Sequence, residues 1–352
     1  MNIELPVIER LHDAALAARV QQRLDHLTKP QGALGRLEAL ALQVALVQGT
    51  THPSWQAPQL LVFAADHGIA AQGVSAYPAE VTAQMVMNML AGGAAVSVLA
   101  RQHGLALTVV DCGVTHHFNP QAGLHIAKVC FGAADSSTTA ALSHEQCVSA
   151  LMNGMQLVKN LPGNVLLLGE MGIANTSAAA LLMARLTGLP LTDCVGRGTG
   201  LGDAALAHKT AVLQRALKRH AAVSLHGQGA LALLAALGGA EIATMVGAVL
   251  QAAHQRRMVV VDGFITTAAV AVAAALQPAV LQRCVFAHGS AEAGHGRWLQ
   301  ALGVQPLLNL GLRLGEGSGA ALAWPLLVSA LQLLDRMASF SSAGVAERSD
   351  DT

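Results

Sequence analysis

One unit recurs along this chain: a short unbroken apolar run, a glycine turn holding polar or charged residues, and then an alanine-rich stretch. QLLVFAADHG (Gln59 to Gly68) opens the series, and NVLLLGEMGIANTSAAALLMARL follows from Asn164. MVVVDGFITTAAVAVAAAL begins at Met258 and LLNLGLRLGEGSGAALAWPLLVSAL at Leu307, while LALTVVDCGV, from Leu105, adds a further strand. Strands apolar on both faces, bounded by glycine and alternating with helices, specify a parallel sheet covered on both sides. The expected fold class is therefore α/β, a parallel sheet with helices on both faces. Such sheets bind ligands beyond the carboxyl ends of their strands, which predicts Glu170, Asp262 and Glu316 along one rim.

The two ends read differently from the middle. Residues 1–29 have the pattern of an amphipathic helix and Gln332 to Phe340 that of the close of another. Residues 1–29 together with 326–352 are thus expected to form a small helical subdomain beside a large domain of residues 30–325 that carries the site. The polar tail 341–352, SSAGVAERSDDT, is expected to be disordered. At 352 residues and 53% hydrophobic, the chain is long enough to bury a substantial core.

Charge and composition narrow the partners. Lys plus Arg and Asp plus Glu each total 21, so no net field draws in nucleic acid, and 3% aromatic content leaves few platforms for stacking bases. The five cysteines are far apart with no Cys-x-x-Cys pair, and MNIELPVIERLHDAAL lacks an apolar signal region, which fits a cytoplasmic protein. The nearest approach to a membrane span is Ala230 to Ala253. Gly238, Gly239 and Glu241 interrupt it, so two packed helices of a core or a subunit interface are expected there, and no membrane partner.

Among the turns, Glu316 stands out as the only carboxylate between Glu292 and Asp335, bracketed by Gly315 and Gly317. A carboxylate drawn out of water gains proton affinity and can serve as a base near neutral pH, whereas a solvated turn Glu would have no such role. GEMGIANTSAAA brings a strand into Gly169 and Gly172 and starts a helix near Asn175, Thr176 and Ser177, a pattern that suits a phosphate or plain helix capping. VGRGTGLGDAALAHKT supplies Gly196, Gly198, Thr199, Gly200 and Gly202 with Lys209 following on the next helix, resembling a phosphate cradle although not a Walker loop.

Gly315-x-Gly317-x-x-Ala320 formally fits a dinucleotide fingerprint. Glu316 would then put negative charge beside a pyrophosphate, and Asp335 falls in a helical stretch rather than at a strand end. A nicotinamide-dinucleotide-dependent oxidoreductase and a non-catalytic nucleotide-binding module remain open alternatives at this point. His288, Glu292 and His295, like Asp66 with His67, match no common zinc spacing, and no metal is expected.

Taken together, the motifs resemble the nicotinate-nucleotide:dimethylbenzimidazole phosphoribosyltransferase family of cobalamin biosynthesis. The resemblance runs in order through KPQGALGRLE, ADHGIAAQGVSAYPAEVTAQMV, GEMGIANTS, VGRGTGL, VDGFITTAA, AHGSAEAGH and GLRLGEGSGAALA, covering roughly residues 5 to 335. It implies transfer of phosphoribose from nicotinate mononucleotide to 5,6-dimethylbenzimidazole, giving α-ribazole 5′-phosphate and nicotinate, by a homodimeric transferase without a cofactor. It further implies a Rossmann-like large domain beside a small helical one, and Glu316 as the base. By the same resemblance Ser75, Tyr77, Pro78 and Gln84 belong to the benzimidazole pocket, and Glu170, Gly172, Asn175, Thr176, Gly198, Thr199, Gly200 and Lys209 to the phosphoribosyl site.

Overall fold

In the computed structural model, which describes residues 3–198, 200–226 and 228–346, the recurrent unit becomes a single six-stranded sheet. The strands are β1 (Gln59–Ala65), β2 (Ala106–Gly113), β3 (Leu124–Ile126), β4 (Val165–Met171), β5 (Met258–Val261) and β6 (Cys284–Phe286). Every pairing is parallel and the spatial order is β3-β2-β1-β4-β5-β6. The direction of winding reverses between β1 and β4, which opens a crevice at their carboxyl ends. Phe63 of β1 lies opposite Glu170 of β4, so the register brings that carboxylate to the crevice.

Alternate residues of each strand serve two separate cores, as the two-residue period of a pleated strand requires. Leu61, Phe63, Leu166, Leu168, Val259 and Val261 face one core, under the helices His144–Asn160, Asn175–Thr187, Ala240–His254 and Phe264–Leu276. Leu60, Val62, Val165, Leu167, Met258 and Val260 face the other, under Ala14–Asp25, Arg36–Gln48, Val81–Leu90, Ala95–His103 and Ser318–Arg336. Both faces are covered, which is why the central strands read as unbroken apolar runs.

The structure departs from the sequence expectations in several places. The run from Leu307 forms no strand: it touches β6's continuation through one bridge, Leu308 to His288, and then leaves the sheet. Gly311, Gly315 and Gly317 all adopt positive φ, which cannot continue a ladder. Residues 3–13 are not helical; the helix starts at Ala14, where the Asp13 side chain accepts the Leu16 N–H at 2.8 Å. Ile3 and Ile8 instead join the core opposite to the one that receives Leu16, Val20 and Leu24, so the N-terminal segment straddles both.

At the other end, the helix Ser318–Arg336 runs unbroken through the boundary expected at residues 325 and 326. The two ends of the chain do meet, with the Thr28 N–H on the Ala338 carbonyl at 3.0 Å. Their apolar side chains, however, belong to the same cluster as the sheet. Part of the expected disordered tail is ordered: Phe340–Ala343 forms a helical turn with a capping box at Ser339, while residues 347–352 lie outside the described residues.

Ala230 to Ala253 does divide at Gly238 and Gly239 into the helices Gly229–Leu237 and Ala240–His254, both buried within the chain. Their apolar faces are spent inside the chain, leaving little beyond Ala232 and His254 exposed. Two other stretches, Val81–His103 and Ser318–Arg336, are long and apolar enough to cross a membrane by length and composition alone. The first is two helices, Val81–Leu90 and Ala95–His103, and the second packs one face on the sheet.

Small residues set how closely the buried helices cross. A Cβ on Gly154 would stand 1.9 Å from the Thr244 carbonyl oxygen, and one on Gly247 would stand 2.0 Å from that of Leu151. Backbone touches backbone, and neither side has a flexible group that can yield. Gly154→Ala or Gly247→Ala is expected to cost about 1–3 kcal/mol through overpacking, in spite of alanine's better helix propensity. Thermal unfolding followed by circular dichroism checks this; a midpoint at or above that of the parent would show that the helices do not meet at these glycines.

Candidate active site

The crevice is bounded on one side by the end of β1, Ala65-Asp66-His67, and on the other by the end of β4, Glu170-Met171-Gly172. Gly172 is required by closeness: a Cβ there would lie 2.5 Å from the Ala65 carbonyl oxygen. The chain then turns through Ala174, at φ 75, into the helix Asn175–Thr187. Asn175 is buried and donates its side-chain amide to Glu170. Burial pushes the Glu170 carboxyl up to about 8, the Asn175 hydrogen bond opposes this, and the charges of Asp262, Glu241 and Glu316 add to it. Glu170 is thus largely protonated and uncharged near neutral pH.

Glu316 sits in the middle of three consecutive left-handed residues, Gly315 (φ 80), Glu316 (φ 65) and Gly317 (φ 87). For a non-glycine residue this conformation costs on the order of 1–3 kcal/mol and persists only where neighbours impose it. The neighbours are specific. Asp262, one residue past β5, accepts the Gly317 N–H at 3.1 Å and the Ala320 N–H at 2.9 Å, and so caps the helix Ser318–Arg336 from a distant part of the chain. Gly169 lets the turn come close, since a Cβ there would be 2.5 Å from the Glu316 carbonyl oxygen, and Gly315 fits against Glu170 for the same reason.

The resulting Glu316 carboxylate is buried, 6% exposed. Burial raises its proton affinity and the Val96 N–H, at the start of the helix Ala95–His103, partly offsets that. Among the described residues its Oε2 has no hydrogen-bond partner. Asp262 is itself pushed up to about 7 by burial, against the pull of the Ala320, Gly317 and Gly319 N–H groups. Behind it stands His288, with Nε2 3.6 Å from Asp262 Oδ1 and its pKa lowered by burial.

A second wall comes from the loop before the helix Asp203–Arg219. Lys209 is 1% exposed and donates to Thr176 Oγ1 at 2.9 Å and to the Gly196 carbonyl at 3.4 Å. Burial pushes its amine down to about 8, and Glu292 acts the other way. Glu292 accepts the Gly198 N–H at 3.1 Å, and Arg313 donates to the Gly198 carbonyl at 3.3 Å. Glu170, Gly172, Asn175, Thr176, Gly198 and Lys209 therefore form one connected surface. Gly200 is exposed at φ 113, and Thr199 lies outside the described residues.

Ser75, Tyr77, Pro78 and Gln84 lie apart from this wall. They occupy the loop and first turn of the helix Val81–Leu90, which Thr82 anchors to the β4 turn by accepting the Ile173 N–H at 3.1 Å. Ser75 is half-buried and its Oγ accepts the Tyr77 N–H, whereas Tyr77, Pro78 and Gln84 are exposed. Among the described residues no hydrogen bond joins these four to Glu316.

Several residues that sequence reasoning passed over hold the site. His67 and Glu241 form a buried pair, Nε2 to Oε1 2.6 Å, beneath the crevice. Burial alone would lower the His67 pKa, but the charge and hydrogen bond of Glu241, with Asp66, raise it overall. Gly239 makes room, since a Cβ there would be 2.3 Å from His67 Cε1. The one available signal was Glu241 itself, a lone carboxylate in an apolar run. The His288, Glu292 and His295 grouping separates, with His288 beside Asp262, Glu292 on Gly198, and His295 on Thr267 at 3.0 Å. Among the described residues no group of three His, Cys, Asp or Glu could hold a metal ion.

A six-stranded parallel sheet with a glycine turn and helix start at its switch point, a buried lysine bonded to that helix start and a strained, buried carboxylate on the same rim has the build of an α/β enzyme acting on an anionic substrate. Residues 9–345 match the model of the phosphoribosyltransferase family DBI_PRT. The nicotinate-nucleotide--dimethylbenzimidazole phosphoribosyltransferase of Variovorax paradoxus is 61% identical over 99% of this chain and 98% of its own length. The protein of the same name from Cupriavidus necator is 55% identical over 99% and 100%. The crystal structure of CobT from Thermus thermophilus superposes with a TM-score of 0.90 at 41% identity, covering 95% of this chain and all of that one. The chain belongs to the phosphoribosyltransferase family, and neither the oxidoreductase nor the non-catalytic module finds support among these relatives.

The buried Glu170 has a consequence for stability that follows from the sign of its shift. With its proton affinity raised from the ordinary 4.5 to about 8, the folded state holds a proton that the unfolded state has released between those values. Stability from this group is complete below about 4.5 and is lost as pH rises through about 8. Glu170→Gln, which mimics the protonated form, is expected to flatten the fall in urea midpoint between pH 5 and 8, a window set by that linkage. An unchanged slope in the variant would mean that Glu170 is ionised across this range.

Proposed function

We propose that this protein transfers phosphoribose from nicotinate mononucleotide to 5,6-dimethylbenzimidazole, releasing nicotinate and forming α-ribazole 5′-phosphate, with Glu316 as the base. The substrates are those in the names of its relatives. The observation that carries the role of Glu316 is its Oε2, buried and without a partner among the described residues, on a turn that costs energy to hold. Strain retained beside a ligand crevice is a mark of a working residue.

The chemistry balances with one base. A ring nitrogen of the neutral benzimidazole attacks C1′ with its lone pair, the C1′–pyridinium bond breaks, and its electron pair stays on the pyridine nitrogen. Nicotinate so formed needs no proton, and no second carboxylate acid is required. Positive charge develops on the attacking ring and makes its other N–H acidic; Glu316 takes that proton and stabilises the charge as it grows. Attack opposite the leaving group converts a β-linkage into an α-linkage.

Gly172, Asn175, Thr176, Gly198, Thr199, Gly200 and Lys209 serve the phosphoribosyl group. The start of the Asn175 helix and the buried lysine favour an anion there. Glu170, uncharged because it is buried, does not repel the phosphate and turns to the ribose hydroxyls. Ser75, Tyr77, Pro78 and Gln84 form the benzimidazole side. The enzyme acts as a homodimer in the cytoplasm: Leu310 and Leu314, 59% and 56% exposed beside the site, suit cover by a second copy, and all five cysteines are free thiols.

Nicotinate release from the mononucleotide in the presence of dimethylbenzimidazole tests this directly. Glu316→Gln is expected to fold normally and to lower turnover by about 10²-fold or more, the range for a lost general base. Near-normal turnover in the variant would remove Glu316 from that role, and absence of nicotinate release by the parent enzyme would remove the proposed reaction.

A further inference from the structure

We propose that Arg313 is a specificity-determining residue for the phosphoribosyl donor, exchanging the Gly198 carbonyl for an anionic oxygen of the bound mononucleotide. The inference rests on the donor being nicotinate mononucleotide, as proposed above. That molecule carries two anionic groups at its two ends, a phosphate and a ring carboxylate. Lys209 is 1% exposed with its amine on Thr176 and Gly196, and a single ammonium there can meet only one of the two anionic groups. Arg197 is paired outward with Asp203.

Arg313 is placed to serve the other. It lies three residues before Glu316, on the segment that delivers the base. Its guanidinium crosses to the opposite wall, where Nη1 meets the Gly198 carbonyl at 3.3 Å. Gly198 adjoins the anion-type wall itself, since a Cβ on it would stand 3.2 Å from Thr176 Oγ1 and 3.5 Å from Lys209 Nζ. The side chain is exposed and its bond is long and to a neutral oxygen, so little holds it where it is. A charged oxygen gives a shorter bond about twice as strong, and the planar fork of arginine fits carboxylate and phosphate alike. Engagement of the donor by Arg313 would also tie the Glu316 segment to the substrate it acts on.

The test compares Arg313→Gln and Arg313→Lys with the parent on three donors, each with dimethylbenzimidazole and with the released pyridine base measured. The donors are nicotinate mononucleotide, nicotinamide mononucleotide, which lacks the carboxylate, and nicotinate riboside, which lacks the phosphate. Arg313→Gln is expected to lose about 10- to 100-fold in kcat/KM on nicotinate mononucleotide, mainly through KM, the size of a lost charged hydrogen bond. The loss should vanish on one truncated donor: on the nicotinamide compound if Arg313 holds the carboxylate, on the riboside if it holds the phosphate. Arg313→Lys, which keeps the charge and loses the fork, should fall between. An equal loss on all three donors, or no loss on any, overturns the inference. Failure of the parent enzyme to release nicotinate from the mononucleotide would instead sink the proposed function.

Discussion

The grip of Asp262 on the start of the Ser318–Arg336 helix is the contact on which the candidate site depends. Three residues in succession, Gly315, Glu316 and Gly317, are left-handed, and only two of them are glycines. Left alone, that backbone would relax. Asp262 prevents it by accepting two N–H groups beyond the turn. The bond does more than cap a helix, because the capped helix is what fixes the direction in which the Glu316 carboxylate points. Gly169 and Gly319 complete the arrangement by yielding space, the first to the Glu316 backbone and the second to His288 behind Asp262. A glycine on β4 and an aspartate after β5 thus exist for the sake of a residue far along the chain.

Glu170, Asp262 and Glu316 are crowded together out of water, and Glu241 lies beneath them, so their charges cannot all be carried at once. The structure resolves the conflict in different ways. Glu241 is matched by His67, whose proton affinity is raised for that reason. Asp262 spends its lone pairs on helix N–H groups. Glu170 has an amide donor and otherwise keeps its proton. Of Glu170, Asp262 and Glu316, the last is the one with a buried oxygen that no donor among the described residues reaches, although Asp66 Oδ1 and Glu241 Oε2 nearby are likewise unmet. A rim with such an unmet acceptor is tuned to a ligand that brings a proton or a positive charge, and both a pyridinium donor and a benzimidazole N–H fit that description.

The parts of this architecture that sequence could reveal were those written in local pattern. β1, β2, β4 and β5 are apolar runs ended by Gly or Asp, and the places of Glu170 and Asp262 follow from where such strands must stop, whereas Glu316 follows no strand. The break at Gly238 and Gly239 was equally local. β3 and β6 have three residues each and leave no periodicity to read. The Leu307 run misled because its glycines, which looked like a turn after a strand, instead take the backbone out of the sheet. Asp13 as a cap, a signal present in the sequence, places the first helix start well after residue 1. Pairings across the chain were illegible altogether: His67 with Glu241 is separated by 174 positions and Lys209 with Thr176 by 33, and nothing local specifies either.

The winding of the sheet also bears on stereochemistry. After β4 the chain enters the helix Asn175–Thr187, which packs on one face of the sheet; after β1 it reaches the helix Val81–Leu90, which packs on the other. The segments proposed above to bind the donor and the acceptor therefore come from opposite faces of the sheet. In the proposed reaction the incoming nitrogen and the departing nitrogen must stand on opposite sides of C1′, or the linkage would not invert. At the switch point of a parallel sheet consecutive connections part to different faces, an arrangement compatible with that opposition. Glu316 comes from a third element, the turn before the helix Ser318–Arg336, so the proposed base is carried by neither of those two segments.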